Sequence, residues 1–274
     1  MKLTPLQLHP ALLILAIAGV VLMADARDSV AQVRGGAPQN TASSKRNLQV
    51  LAADTSQEDI MQMMQGFTAA LGVDCAYCHM QAAAAAGRGG RGRGGAAFDY
   101  ASDEKPQKKI ARAMMTMARD LNTSVATAVA RPPESTTRVG CVTCHRGVAT
   151  PMQLADVLDR AVTERGKAEA VATYRDLRRR YFGAQAYDFS ENSLIVYANR
   201  VLRSGPPDDA ITWLELNLNY FPRSALTYAA LANAQQQKKD MAGAIASLER
   251  AVTLSPENIQ LQTQLDQLRA ASKK

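Results

Sequence analysis

Apolar residues recur with helical spacing in two segments of the first half of the chain. The two stripes are Ile60, Met64, Phe67 and Leu71, followed by Ile110, Met114, Met117 and Leu121. In both stripes the members lie four, three and four residues apart, which predicts one apolar face of an amphipathic α-helix. Ser56 and Asp59 form the pattern of a capping box ahead of the first stripe, and Gly72 offers a stop behind it.

The last third of the chain has an internal period of 34 residues. Identical residues recur at this distance in the pairs Ala210 and Ala244, Leu214 and Leu248, and Pro222 and Pro256. Together with Tyr228, Leu231 and Ala232, these positions resemble tetratricopeptide repeats. Two repeats are predicted over residues 191–258, and a capping helix over 259–270. Because two repeats bury little apolar surface, residues 154–182 are expected to add a helical pair that turns near Gly166.

The resemblance to tetratricopeptide repeats implies a concave face that binds a peptide or a partner protein. The alternative is a repeat segment that only packs on the preceding part of the chain. Either way, the composition favours helices, because aromatic residues make up only 5% of the 274 positions while Ala, Leu, Met and Gln are plentiful. The predicted fold class is all-α, and the tetratricopeptide-like domain with its capping helix is predicted to occupy residues 151–274.

The charge balance is moderately basic. Lys and Arg number 32 against 25 Asp and Glu, which gives a formal net charge of +7. This excess is far below that of a dedicated nucleic-acid-binding composition, so nucleic acid is not a predicted partner.

The amino terminus has the pattern of an export signal. Lys2 precedes an apolar run over residues 11–23, and Ala24, Asp25 and Ala26 fit a cleavage site with small flanking residues. We predict a signal peptide over 1–26, a flexible linker over 27–44 and a periplasmic location. The alternative is a retained membrane anchor, although the run is shorter than the roughly 20 residues that a span requires.

Two Cys-x-x-Cys-His runs carry the chemistry of the chain. They are Cys75, Cys78 and His79, and Cys141, Cys144 and His145. This pattern indicates covalent attachment of c-type haem: each thiol forms a thioether with a haem vinyl group, and the adjacent His is the proximal iron ligand. Disulfides or a four-Cys zinc site are the alternatives. The zinc interpretation is disfavoured because the cysteine pairs of zinc ribbons are separated by about 15–20 residues, whereas Cys78 and Cys141 have 62 residues between them.

The sixth position of each iron is left to a methionine, another weak ligand, water or an empty site. The third histidine, His9, lies in the predicted signal peptide, so no further imidazole remains in the mature chain. Helical spacing alone leaves several candidates open. They are Met61, Met63 and Met64 for the first haem, and Met114, Met115 and Met117 for the second. Methionine at helical spacing is also a common core residue, so spacing does not distinguish a ligand from a packing residue.

Residues 45–150 resemble one half of the tetrahaem cytochrome subunit of photosynthetic reaction centres. The similar segments are residues 66–79, 100–106, 111–123 and 142–147, which include stretches between the two haem runs. The resemblance implies that a helix ahead of each haem run supplies the distal methionine. Carried over by position, Met64 is the distal ligand of the first haem and Met114 that of the second.

The chain also departs from that subunit. It has two haem runs where the subunit has four, and residues 122–130 contain no His where the relative supplies one. The resemblance therefore implies a dihaem cytochrome domain that transfers electrons between redox proteins, without implying photosynthesis. The alternatives are a peroxidase-like haem enzyme with one open iron site and a repeat scaffold that reports redox state.

A low-complexity insertion separates the first haem run from the second stripe. Residues 82–97 comprise five alanines followed by a Gly and Arg repeat, a composition that predicts a flexible loop. The loop is interpreted as a tolerated insertion, or as a basic element that attracts an acidic redox partner.

Overall fold

The structure is a computed structural model and describes residues 46–82, 98–130, 132 and 135–273. The predicted signal peptide, the linker and all of the Gly and Arg repeat lie outside these residues. The regular elements of the described residues are α-helices apart from one pair of two-residue strands, so the predicted all-α class is confirmed. The first elements are α1 Gln57–Leu71, α2 Cys75–Cys78, β1 Met80–Gln81, β2 Phe98–Asp99, α3 Pro106–Val129 and α4 Cys141–His145.

Helix α1 begins and ends where the sequence predicts. The Ser56 side chain accepts a hydrogen bond from the Asp59 amide at 3.1 Å, and Gly72 ends the helix with a left-handed φ of 66°. Only half of the predicted capping box is found among the described contacts. The Asp59 carboxylate accepts a hydrogen bond from the Ser56 hydroxyl at 2.6 Å instead of one from the Ser56 amide.

Strands β1 and β2 pair in antiparallel register at the two ends of the low-complexity insertion. Met80 lies opposite Asp99, and Gln81 lies opposite Phe98. The insertion therefore leaves and re-enters the fold at neighbouring points. This strand pair was not predicted from the sequence.

Seven helices follow the second haem run. They are α5 Leu154–Arg165, α6 Lys167–Tyr181, α7 Glu191–Ser204, α8 Pro207–Tyr220, α9 Ala225–Gln237, α10 Met241–Leu254 and α11 Ile259–Ala271. Helices α5 and α6 form the expected pair that turns at Gly166, whose φ is 85°. Successive helices from α7 to α11 pack against one another. Helices α7, α9 and α11 start 34 residues apart, as do α8 and α10, in agreement with the sequence period.

The apolar core of the described residues lies mainly in these later helices. One buried cluster joins α5 to α9 around Trp213, Tyr174 and Leu158, and a second joins α9, α10 and α11 around Leu248 and Leu265. Before Thr150, the described residues that are buried are Ala70 and Lys108. None of the helices in the described ranges has the length and apolar character that crossing a membrane requires.

Candidate functional site

The first Cys-x-x-Cys-His run forms the one-turn helix α2. The Asp74 carboxylate accepts a hydrogen bond from the Tyr77 amide at 3.2 Å and so caps its start. Residues three apart on a helix lie on the same face, so α2 presents Cys75 and Cys78 to the same side. His79 leaves the helix in an extended conformation while its amide donates to the Cys75 carbonyl at 3.0 Å.

A cleft beside α2 brings together the predicted residues of the first haem site. Met64, Cys75, Cys78 and His79 all line it. The cleft has a cavity volume of about 200 Å³ and is partly open to solvent. All four members of the first apolar stripe also line it, namely Ile60, Met64, Phe67 and Leu71. The stripe predicted from spacing therefore faces the first Cys-x-x-Cys-His run.

Three methionines line this cleft. Met61 and Met64 come from α1, and Met115 comes from α3 together with Ala111 and Arg112. Met115 was predicted as a candidate ligand of the second haem, whereas the structure places its side chain at the first cleft. The reason is the helical phase of α3, because Ala111 and Met115 lie on one face and Met114 is turned about 100° away.

His79 is half-buried and surrounded by positive charge. Its ring meets the Tyr100 ring edge to face, with centroids 5.0 Å apart. Burial lowers the pKa of His79, and the nearby cations Lys108, Lys105 and Arg112 lower it further. The buried Nδ1 has no hydrogen-bond partner among the described residues. A neutral imidazole is the form that ligates a metal, so this environment suits a ligand.

A charged network forms the wall of the cleft at the start of α3. Asp103 accepts hydrogen bonds from Arg112 at 2.8 Å, Asn47 at 3.0 Å and Gln49 at 3.1 Å, and forms an ion pair with Lys108 at 3.0 Å. The Lys108 ammonium also donates to the carbonyls of Tyr100 at 2.8 Å and Ser102 at 2.7 Å. The network joins the segment before α1, the loop before α3 and α3 itself. The role of these residues was not predicted from the sequence, because charged residues in a helix, such as Lys108 and Arg112, are ordinarily exposed.

The second Cys-x-x-Cys-His run forms the short helix α4. Thr143 Oγ1 accepts a hydrogen bond from the Gly140 amide at 3.0 Å, which closes the start of the helix. His145 Nδ1 lies 2.9 Å from the Val148 carbonyl oxygen. A carbonyl can only accept, so Nδ1 is the donor and Nε2 keeps the free lone pair.

Helix α3 is tied to the chain just before the second run. The Asn122 side-chain amide donates to the Val139 carbonyl at 2.8 Å, and its oxygen accepts from the Val139 amide at 2.7 Å. The second apolar stripe lies on the exposed surface of α3. Its members and their exposed fractions are Ile110 at 57%, Met114 at 40%, Met117 at 52% and Leu121 at 42%.

The residues present fit a covalently attached haem at both runs. Each run offers two thiols on one side of a turn and an imidazole directly after them, and all four cysteines are free. The first run faces a cleft with a mostly apolar lining. The second run follows Val139, which Asn122 of α3 holds by two hydrogen bonds. Among the described residues, no three Cys, His, Asp or Glu side chains come together as a metal-binding group.

Comparisons with known proteins identify similarity to cytochromes. Residues 30–180 match the family model of the photosynthetic reaction centre cytochrome c subunit. Cytochrome c-554 of Chloroflexus aurantiacus is 33% identical over 107 residues, which cover 39% of this chain and 22% of that protein. The photosynthetic reaction center cytochrome c subunit of Rubrivivax gelatinosus is 30% identical over 116 residues, which cover 37% of this chain and 28% of that protein.

One solved structure, that of MamA, also aligns with the chain. It is 20% identical with a TM-score of 0.31, and the alignment covers 43% of this chain and 66% of that one. The matched residues span about a quarter of the length of the two cytochromes named above. The family model, in contrast, matches more than half of this chain and includes both Cys-x-x-Cys-His runs. The chain belongs to the photosynthetic reaction centre cytochrome c subunit family and is a cytochrome of the c type, with covalently bound haem.

Proposed function

We propose that this protein is an exported dihaem cytochrome that carries single electrons between redox proteins. The observation that carries the proposal is the cleft that unites Met64, Cys75, Cys78 and His79. These are the two thiols, the imidazole and the thioether that a six-coordinate c-type haem requires. The equivalent residues proposed for the second haem are Met114, Cys141, Cys144 and His145.

The four cysteines attach the cofactor. Each thiol would add across one vinyl group of a bound haem, so that the S–H bond and the vinyl π bond break while one S–C and one C–H bond form. The addition needs no external oxidant. Cys75 and Cys78 lie on one face of α2, and Cys141 and Cys144 lie on one face of α4, so each pair would hold the two vinyl groups of one haem.

His79 and Met64 would ligate the iron of the first haem, and His145 and Met114 that of the second. When bound, haem iron supplies the one-electron couple between its ferric and ferrous forms. His145 is oriented by the Val148 carbonyl, and His79 is held against Tyr100. Methionine ligation favours the ferrous form and raises the reduction potential. A methionine ligand would also occupy the iron position that a peroxide substrate needs, which favours a carrier over an enzyme.

We assign the later helices a docking role and place the protein in the periplasm. From α7 to α11, every second helix starts 34 residues after the last, as in tetratricopeptide repeats. This period supports a surface for a peptide or partner protein. The export pattern over residues 1–26 supports the location. The redox partners are proposed only as a class of protein.

Haem content tests the proposal directly. The intact mass of the purified protein is expected to exceed that of the processed chain by two haems, and acidified acetone is expected to leave the pigment on the protein. Replacing Cys141 and Cys144 together by Ser is expected to remove one haem and keep the other. A wild-type mass without haem, or with one haem only, contradicts the dihaem assignment. Rapid turnover of hydrogen peroxide would favour a haem enzyme.

A further inference from the structure

A tight turn follows α4 and holds His145. The Val148 amide donates to the His145 carbonyl at 2.9 Å, while the Val148 carbonyl lies 2.9 Å from His145 Nδ1. The two residues between them, Arg146 and Gly147, both have positive φ angles, of 49° and 86°. The turn is therefore what brings the Val148 carbonyl back to the imidazole ring and fixes its orientation.

This turn rests on the end of α1. The Gly147 amide donates to the Ala70 carbonyl at 2.8 Å, although the two residues are far apart in the sequence. Gly72 lies directly against the same peptide. A Cβ atom on Gly72 would be 2.1 Å from the Gly147 oxygen and 2.9 Å from its carbonyl carbon, so only a hydrogen atom fits there. The three nearest heavy atoms to that position all belong to Gly147.

We propose that Gly72 and Gly147 form a backbone contact through which α1 sets the orientation of His145, the proximal ligand of the second haem. The inference rests on the proposed dihaem function. Gly72 stands three residues before Cys75 and ends the helix that carries Met64. Gly72 and Gly147 are positioning residues, because they act on the iron only through the turn that holds His145.

The variant Gly72→Asn separates this contact from backbone strain. Asparagine tolerates the left-handed conformation that Gly72 adopts at φ 66°, but its Cβ still meets the Gly147 carbonyl. We expect the ferric electron paramagnetic resonance signal and the midpoint potential of the second haem to shift, with those of the first haem unchanged. The matched control is Gly66→Ala in the same helix, where an added Cβ meets nothing within 4 Å.

The two haem signals are assigned with the protein in which Cys141 and Cys144 are both Ser, which keeps only the first haem. If Gly72→Asn carries two haems and the second signal is unmoved, the inference is wrong while the dihaem function stands. If the wild-type protein carries fewer than two haems, the proposed function itself fails.

A second measurement uses the wild-type protein and needs no variant to fold. Hydrogen exchange of the Gly147 amide is expected to be slow, as for amides inside α1, because this amide donates a hydrogen bond to the Ala70 carbonyl. Exchange at the rate of an unstructured peptide would overturn the proposed contact.

Discussion

At the scale of single residues, Asp103 organises the charged wall of the first cleft. Hydrogen bonds from Arg112 and then Lys108 hold the pKa of the Asp103 carboxyl well below its usual range, and Asn47 adds to the effect. Lys108 is 8% exposed, which is unusual for a lysine and requires that its charge be paired. The ionised carboxylate supplies that partner.

We therefore expect Asp103→Asn to lower the free energy of unfolding at neutral pH. In the wild type the pKa of the Asp103 carboxyl is lower in the folded protein than in the unfolded chain, where it is about 3.9. The ionised carboxylate therefore stabilises the folded state fully above that pH. This stabilisation is lost as the pH falls toward the folded pKa, because the unfolded carboxyl binds its proton first. Denaturant unfolding at a series of pH values should thus show the two proteins converging below about pH 4.

Asp120→Asn is the matched control for Asp103→Asn. Asp120 pairs with Arg119 at 3.1 Å, but both side chains are about two thirds exposed, at 64% and 65%. Exposed pairs contribute about 0–1 kcal/mol, so this variant should change little at any pH. Equal effects of the two substitutions would show that the Asp103 network does not hold the wall together.

The distal methionine of the first haem is the second test at this scale. Met64 and Met115 both line the first cleft, so replacing each by Leu compares a proposed ligand with a packing neighbour. Met64→Leu is expected to remove the near-infrared methionine band of the first ferric haem and lower its potential. Met115→Leu should keep the band and cost less than about 1.5 kcal/mol of stability, as volume-conserving swaps do. Loss of the band in Met115→Leu instead would overturn the assignment.

Residues of the first cleft differ in how far the sequence predicts them. Ile60, Met64 and Phe67 were expected on one helix face, because apolar periodicity reports which face is covered. Lys108 and Arg112 were not, because a charge becomes buried only when a partner meets it. Their partner, Asp103, lies in the loop before α3, and the apolar pattern does not report how that loop folds back on the helix.

At the scale of elements, α3 presents two different faces. Ala111, Arg112 and Met115 face the first cleft, whereas Met114 and Met117 lie on the exposed stripe. The helix is anchored at its later turns by the paired hydrogen bonds between Asn122 and Val139. Since Val139 stands two residues before Cys141, this anchor holds the second haem run beside α3.

Asn122→Ala should therefore weaken the second site specifically. The change leaves the amide and the carbonyl of Val139 without their partner, and each partly buried orphan costs about 1–3 kcal/mol. We expect faster hydrogen exchange at Val139 and a lower unfolding temperature. Thr123→Ala is the control, because the Thr123 hydroxyl only bonds back to Arg119 within the helix. If the two variants exchange at Val139 equally slowly, the anchor has no such role.

Helix positions were predicted better than the small strand pair. The 34-residue period located α8 and α10 because Ala210 and Ala244, both fully buried, recur where paired helices approach. Strands β1 and β2 have only two residues each, too few for an alternating pattern to show. Their pairing depends on the two ends of the insertion meeting in space.

At the scale of the whole molecule, the two parts of the chain are stabilised differently. Among the described residues, large buried apolar side chains lie in α5 to α11, with Trp213 at 1% exposure packed edge to face on Tyr197 at 5.0 Å. Before Thr150 the described residues include few buried side chains. This part of the chain instead contains the charged network around Asp103 and the apolar-lined cleft. Arg146 links the parts by donating to the Gln185 carbonyl at 3.1 Å.

The predicted division near residue 150 can be tested by destabilising the later helices alone. Trp213→Ala should cost about 3–5 kcal/mol, as truncation of a buried aromatic residue does. If the division is right, the helical transition followed by circular dichroism shifts to lower temperature while the methionine band of the haems melts where it does in the wild type. Val196→Ala, at a 63% exposed position of α7, should leave both transitions within about 0.5 kcal/mol. A joint shift of both signals in Trp213→Ala would instead mean that the haem sites and the repeat helices unfold as one cooperative unit, because loss of packing in one part can lower the stability of the other only if the two unfold together.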